Sequence, residues 1–264
     1  MKGSSWMRIR AVARRHAYVL RRSPPRLFDV TIWPLVDVLL FGALGVFVAG
    51  RGGGSVAFGY LLSGIILWHV VYQAQIALST GFMEETWSRN LLNLMVTPLG
   101  ELEFAVGVAL FGLVKLVLGV IAVALAALVM FAFDVTTMGL GLIPIVSLLL
   151  VVGWIIALFV IGVILRWGSG AEVFIWGVLF AIMPLSGTFY PVDALPDYIR
   201  PLSLALPSTH AFTAGRALVE GRGLLWGELG LGILGAVLFG ALAILWVARM
   251  LAVFRRRGYI SRYA

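Results

Sequence analysis

Cysteine is absent from this chain, and lysine occurs only at Lys2 and Lys115. Without thiols there is no disulfide and no thiolate metal site. A nucleotide-binding P-loop needs Gly-Lys-Ser/Thr, because its lysine grips the β- and γ-phosphates. Lys2 follows Met1 and Lys115 follows Val114, so neither qualifies. His16, His69 and His210 lie on separate stretches and set up no histidine metal site. Neither Gly-x-Ser-x-Gly nor Gly-x-Ser-Gly occurs. Charge is scarce as well, at 12% of residues. The expectation is a chain that is not an enzyme and holds no cofactor or metal of its own.

Apolar residues dominate instead: 61% of the 264 residues are hydrophobic, and the mean hydropathy is +1.04. They gather in six long stretches, 27–50, 56–83, 104–132, 139–165, 171–190 and 229–253. Each is long enough to cross a hydrocarbon core, which takes about 20 helical residues. Lipid offers no partner to an unpaired backbone group, so the spans are helices; a barrel would show short alternating segments. The expected fold is an all-α polytopic membrane protein of six spans, forming one domain over 1–264.

The net charge of +8 is a matter of topology rather than of nucleic acid. Lys2, Arg8, Arg10, Arg14, Arg15, Arg21, Arg22 and Arg26 precede the first span, and Arg249, Arg255, Arg256, Arg257 and Arg262 close the chain. Cytoplasmic ends of spans attract Lys and Arg. Six spans with both termini inside put these thirteen, with Arg89 and Arg166, on the cytoplasmic side, and only Arg51, Arg200, Arg216 and Arg222 outside. Membrane lipids, and no nucleic acid, are the expected polyanionic contact.

Residues 5–22 read as an interfacial helix. Trp6, Ile9, Val12, Ala13, His16, Ala17, Val19 and Leu20 fall on one half of the wheel, and the six arginines on the other, toward lipid phosphates. Ser23-Pro24-Pro25 ends it. Between spans two and three, 84–103 carries the apolar strip Leu91, Leu92, Leu94 and Met95, flanked by Glu84, Glu85 and Arg89 on one side and Glu101 and Glu103 on the other. Thr97-Pro98 stops it. A short amphipathic helix with charged flanks fits a groove on a partner, and fits equally a turn helix on the membrane surface. Residues 191–228 form the outer loop. Its apolar piece 202–212 is too short to span and is broken by Pro207. With Pro191, Pro196 and Pro201 upstream, it suits a rigid re-entrant hairpin.

Asp37 and Lys115 stand inside spans, each roughly 15 Å from the cytoplasmic edge at ~1.5 Å per residue. Unpaired charge there is costly, so a buried pair is one reading; snorkelling or a wet vestibule is the other. Aromatic residues cluster in the second and fifth spans, including Trp68, Tyr72, Trp176 and Phe180. They serve as interfacial belts or line a route for an amphipathic molecule. Gly232, Ala236 and Gly240 form a small-residue ridge for close helix approach, within the chain or between two copies.

The chain resembles the permease subunits of ABC-2-type exporters, a group that includes antibiotic-resistance, lipo-oligosaccharide and polysaccharide export permeases. The residues behind the resemblance are Trp87-Ser-Arg-Asn-Leu-Leu-Asn-Leu-Met-Val-Thr-Pro-Leu99 before the third span, and Tyr190-Pro-Val-Asp-Ala-Leu-Pro196 followed by Leu206-Pro-Ser-Thr-His210 and Arg216. The family often carries Gly-Thr-Leu-Glu before the leucines, where this chain has Ser88-Arg-Asn-Leu91. The resemblance implies two permeases, a homodimer in the favoured case, with two separate ATPase subunits that bind ATP and Mg. Glu84, Glu85, Trp87, Arg89, Leu91, Leu92, Leu94, Thr97 and Pro98, within 84–99, would be the coupling element. Pro191, Leu195, Pro196, Pro207, His210 and Arg216 would form the outer re-entrant gate. A lipophilic or amphipathic small molecule or lipid, exported across a bacterial cytoplasmic membrane, is the expected cargo. A polysaccharide or glycolipid is the alternative within the class, and a proton relay through Asp37 and Lys115 the alternative outside it.

Overall fold

The structure is a computed structural model, and it describes residues 5–87 and 97–256. Every regular element among the described residues is helical. In chain order these are α1 (Ser5–Arg21), α2 (Pro24–Val48), α3 (Gly54–Trp87), α4 (Glu101–Phe131), α5 (Leu142–Trp167), α6 (Val173–Leu185), α7 (Arg200–Ala205), α8 (Pro207–Val219) and α9 (Trp226–Arg256). Short 3-10 or π-helical turns join several of them.

Four stretches of the described residues are long and apolar enough to cross a membrane: Ile32–Glu85, Val106–Phe131, Val135–Trp167 and Trp226–Phe254. The first two expected spans fall within one of these, because only the π-helical turn Ala49–Gly53 separates α2 from α3. That turn reverses the chain. Gly52 takes φ 99° and Gly54 φ 65°, values that a residue without Cβ adopts freely. Behind it α2 and α3 pack side by side. The fifth expected span, 171–190, is a helix only to Leu185. Pro184 lacks an N–H and Gly187 takes φ 60°, so the chain leaves the helix although the apolar residues continue.

α3 and α5 are the central pair. α2, α4 and α8 pack on α3, α9 packs on α5 and α8, and α1 lies on α4. Close approach of the central pair is set by Gly153 of α5, where a Cβ would collide with Ala74 and the Val71 carbonyl. The ridge on α9 serves contacts within the chain: Gly232 faces Leu148 and Pro207, Ala236 is buried, and Gly240 faces Ile155. The outward faces are apolar too; Val129, Val237, Phe180 and Leu245 are all well exposed. A water-soluble protein does not carry contiguous surface of this kind; a hydrocarbon solvent favours it.

Candidate functional site

At the end of the bundle that carries α1, the apolar stripe of α1 is seated on α4. Val12 and His16 are buried, and His16 stacks on Phe111 at 5.7 Å between ring centres. A Cβ on Gly107 would meet Val12 and the Ile9 carbonyl, so the helices touch backbone to side chain. Two ion pairs then fix α1. Glu103, in the first turn of α4, accepts from Arg8 Nε at 2.7 Å and from Arg8 Nη2 at 2.5 Å. It also accepts from the Ser5 hydroxyl, and from the Gly100 N–H at 2.9 Å as the helix cap. These donors, the Arg8 guanidinium first, hold the Glu103 carboxyl down at about 2, and the same contact raises Arg8. Glu85, only 1% exposed, pairs with Arg15 Nη1 at 2.6 Å.

This corrects two expectations. Glu84 and Glu85 belong to the last turn of α3, not to a loop. Arg8 and Arg15 turn to carboxylates of the chain instead of facing lipid phosphates; the buried Glu85 in particular requires a positive partner nearby. The two pairs join α1 to both flanks of the segment 86–100. The side chain of Trp87 and residues Arg89, Leu91, Leu92 and Leu94 lie outside the described residues. Thr97 and Pro98 form a bend before α4, where the Thr97 hydroxyl accepts from the Leu99 N–H at 3.4 Å. Arg15 also lines, with Ala11, Arg14, Tyr18, Val19 and Arg22, an open groove of about 640 Å³ along α1.

At mid-depth, Asp37 is half-buried on α2 and Lys115 is buried on α4, on helices packed against each other. The His69 ring of α3 meets α4 at Gly119, one turn beyond Lys115, where a Cβ would lie 2.8 Å from Nε2. His69 contacts Gln73 Nε2 at 3.2 Å and stacks on Tyr72 at 5.8 Å. Tyr72 in turn meets Trp176 of α6, ring centres 6.0 Å apart. Gln75 donates to Ser79 Oγ and to the Ile175 carbonyl, both at 3.1 Å. Of the four aromatic residues singled out by sequence, Tyr72 and Trp176 meet. Trp68 instead is core packing against Phe212 at 6.3 Å, and Phe180 points outward. The sequence reading missed His69, Gln73 and Gln75. Their signal is the i, i+4 spacing of His69 and Gln73 within an apolar stretch, a spacing that stacks side chains on one helix face.

At the far end, α7 and α8 fold into a hydrogen-bonded cap. Pro207 supplies the first helical position of α8, where a missing N–H costs nothing, and residues 207–212 are all buried. Ser203 Oγ donates to the Leu185 carbonyl at 2.5 Å, Thr209 Oγ1 to the Ser203 carbonyl at 2.6 Å, and the Ser186 and Ser208 hydroxyls pair at 2.7 Å. His210 sets Nδ1 2.7 Å from Glu228 Oε2 and Nε2 3.0 Å from the Leu204 carbonyl. Arg216 donates to the Gly187 carbonyl, and to Thr213 Oγ1 at 2.9 Å. Pro191, Leu195 and Pro196 lie in the turn ahead of α7. Arg200 ties that turn down by donating to the Leu195 carbonyl at 2.9 Å. The six predicted gate residues therefore sit in one folded unit. Glu228, which anchors His210, was not among them; it stands where the last apolar stretch begins, and charge at a span's edge reads as solvated.

The family model for the ABC-2 type transporter matches residues 7–219, from α1 to the end of α8. The chain belongs to the ABC-2 type transporter family. It is thus a membrane-spanning permease subunit of an ABC transporter, a kind of chain that is not catalytic by itself. No curated protein matches it. The ABC-2 match covers both the α1 end, with its ion pairs, and the α7–α8 cap.

Proposed function

We propose that this ABC-2 permease is the membrane half of an ATP-driven exporter, and that it moves a lipophilic or amphipathic small molecule or lipid outward across a bacterial cytoplasmic membrane. The observation that carries the reading is the double ionic tie from α1 to both flanks of segment 86–100. An ATPase pressing on that segment would move α1 with it. The chain contains no P-loop lysine, so ATP and Mg belong to a separate subunit, two copies of which would serve a permease homodimer.

In this reading the chain crosses six times. The stretch Ile32–Glu85 has 54 residues and would reach about 81 Å if straight, against a core of about 30 Å; bent at Ala49–Gly53, it supplies two crossings. The apolar stretch Gly170–Leu185 supplies the fifth. Both termini are cytoplasmic, as the distribution of arginine supports, and the α7–α8 cap is a re-entrant hairpin on the outer face. Tyr72 and Trp176 would line the route. Asp37 and Lys115 would pair across α2 and α4: exchanging the two charges would then restore the transport that either single reversal abolishes, whereas equal damage from all three variants would refute pairing.

The test is purification of the chain from its native membrane in mild detergent, with mass spectrometry of what accompanies it and an ATPase assay. The expected result is a stoichiometric P-loop ATPase, lost when Leu91, Leu92 and Leu94 are each changed to Asp. A chain that arrives alone and transports after ATP depletion would overturn the reading and favour a proton relay through Asp37 and Lys115.

A further inference from the structure

A cavity of about 420 Å³ lies between α5, α6 and α9, within the range of small-molecule sites. α6 and α9 both pack on α5, and the cavity is the gap left between them. Its walls are Val152–Phe159 of α5 and Phe239–Trp246 of α9, the middle turns of two membrane-crossing stretches. It is therefore set at the level of lipid tails. Leu242 lines it and is 53% exposed, so it opens to the side.

The lining excludes a polar occupant. Ser208 and Trp246 supply the only polar side chains among the lining residues, and both are engaged. The Ser208 hydroxyl pairs with Ser186, and Trp246 Nε1 donates to the Phe159 carbonyl at 3.1 Å. A polar group entering would find no partner and lose its water. Each end is bordered by ordered side chains. Leu206–Ser208 cover one end, fixed by the hydroxyl-to-carbonyl bonds of the cap. Phe159 and Trp246, stacked at 6.0 Å, cover the other. The exposed flank at Leu242 is the entry for an occupant.

We propose that this cleft seats one acyl chain of a membrane phospholipid as a resident ligand, wedged between α6 and α9, and that it is not a station on the cargo's route. The proposal is independent of the exporter reading, since it concerns a site within one copy of the chain.

The test uses the full chain in vesicles of phosphatidylethanolamine and phosphatidylglycerol, doped with a phosphatidylcholine whose acyl chain ends in a diazirine. Unlabelled vesicles are added as a chase before irradiation, and the cross-linked residues are mapped by mass spectrometry. Label on 152–159 and 239–246 is expected to survive the chase, while label on the outward residues Val237 and Leu245 disappears. Filling the cleft with Ala243→Phe, or with Ile156→Phe where the first variant elutes as aggregate, is expected to cut the chase-resistant label about tenfold, equivalent to ~1.4 kcal/mol. Val237→Phe on the outward face is expected to leave it unchanged. Equal loss of label from cleft and outward face would overturn the proposal, as would label that persists in both filled variants. Ala243→Cys, the sole thiol in the chain, adds a further check: disulfide-linked dimers forming without lipid label would assign the cleft to a second copy and overturn the proposal too.

Discussion

The two ends of the bundle are held by different mixtures of forces. At the α1 end, a surface helix is fastened by guanidinium–carboxylate pairs, Arg8 to Glu103 and Arg15 to Glu85. At the far end, the α7–α8 cap adds neutral hydroxyls donating to backbone carbonyls, around a buried Phe212, to the contacts of His210, Arg200 and Arg216. Ion pairs near water respond to salt, pH and the arrival of other charges. Hydroxyl–carbonyl bonds in an apolar setting respond to none of these and are costly to leave unmade. The α1 end is therefore suited to receive a signal, and the far end to hold its shape.

Four experiments bear on this contrast. The largest effect is expected from Phe212→Ala, which empties the space beside Trp68 and should cost about 3–5 kcal/mol, read as a lowered unfolding temperature in detergent. A loss well under 1 kcal/mol would mean that the cap is not a packed unit. Arg15→Ala leaves the Glu85 carboxylate short of its guanidinium. Because Arg15 is half-exposed, the cost should fall below that of a fully buried pair, at about 1–3 kcal/mol, and Glu85→Gln in the same chain should recover part of it. Ser208→Ala removes one hydroxyl partner at the cap and should cost about 1 kcal/mol, with no dependence on salt.

The fourth and smallest effect is conditional. Glu103 is held at about 2 against an ordinary 4.5. A depressed carboxylate contributes its full stabilisation above the ordinary value and loses it as pH falls through the depressed one. The Arg8–Glu103 tie should thus hold at neutral pH and release between about 4.5 and about 2. Spin labels at Met7→Cys and Ala109→Cys would report the separation of α1 from α4 over that window, and molar salt should widen the distance at any pH. No movement down to pH 2 would show that the apolar seat of Val12 and His16 holds α1 alone.

Much of this architecture was legible in the sequence, because hydropathy and helical periodicity are properties of single segments. The amphipathic α1, the break between the first two apolar stretches and the stiff proline-rich cap all come from local pattern. What stayed hidden depends on partners distant in the chain. Glu85 and Glu103 look like solvated flanks until α1 brings Arg15 and Arg8 to them. Gln73 and Gln75 vanish into the average of a strongly apolar stretch, yet both are buried, and each keeps an amide oxygen with no hydrogen-bond partner among the described residues. The early end of α6 was hidden for the opposite reason. Phe189 and Tyr190 carry the apolar signal past Leu185, while Pro184 and Gly187 have already ended the helix.

The fastening of α1 also defines what can be exchanged between permeases. On the proposed function, a chimera that replaced only 86–100 would leave Arg8 and Arg15 facing their old carboxylates while the segment between them answered to a new ATPase. A transplant that moved Glu85 or Glu103 without α1 would strand their charges. In the proposed exporter the module for partner choice is therefore discontinuous: residues 5–21 and 85–103 travel together, although α2 and α3 separate them in the chain.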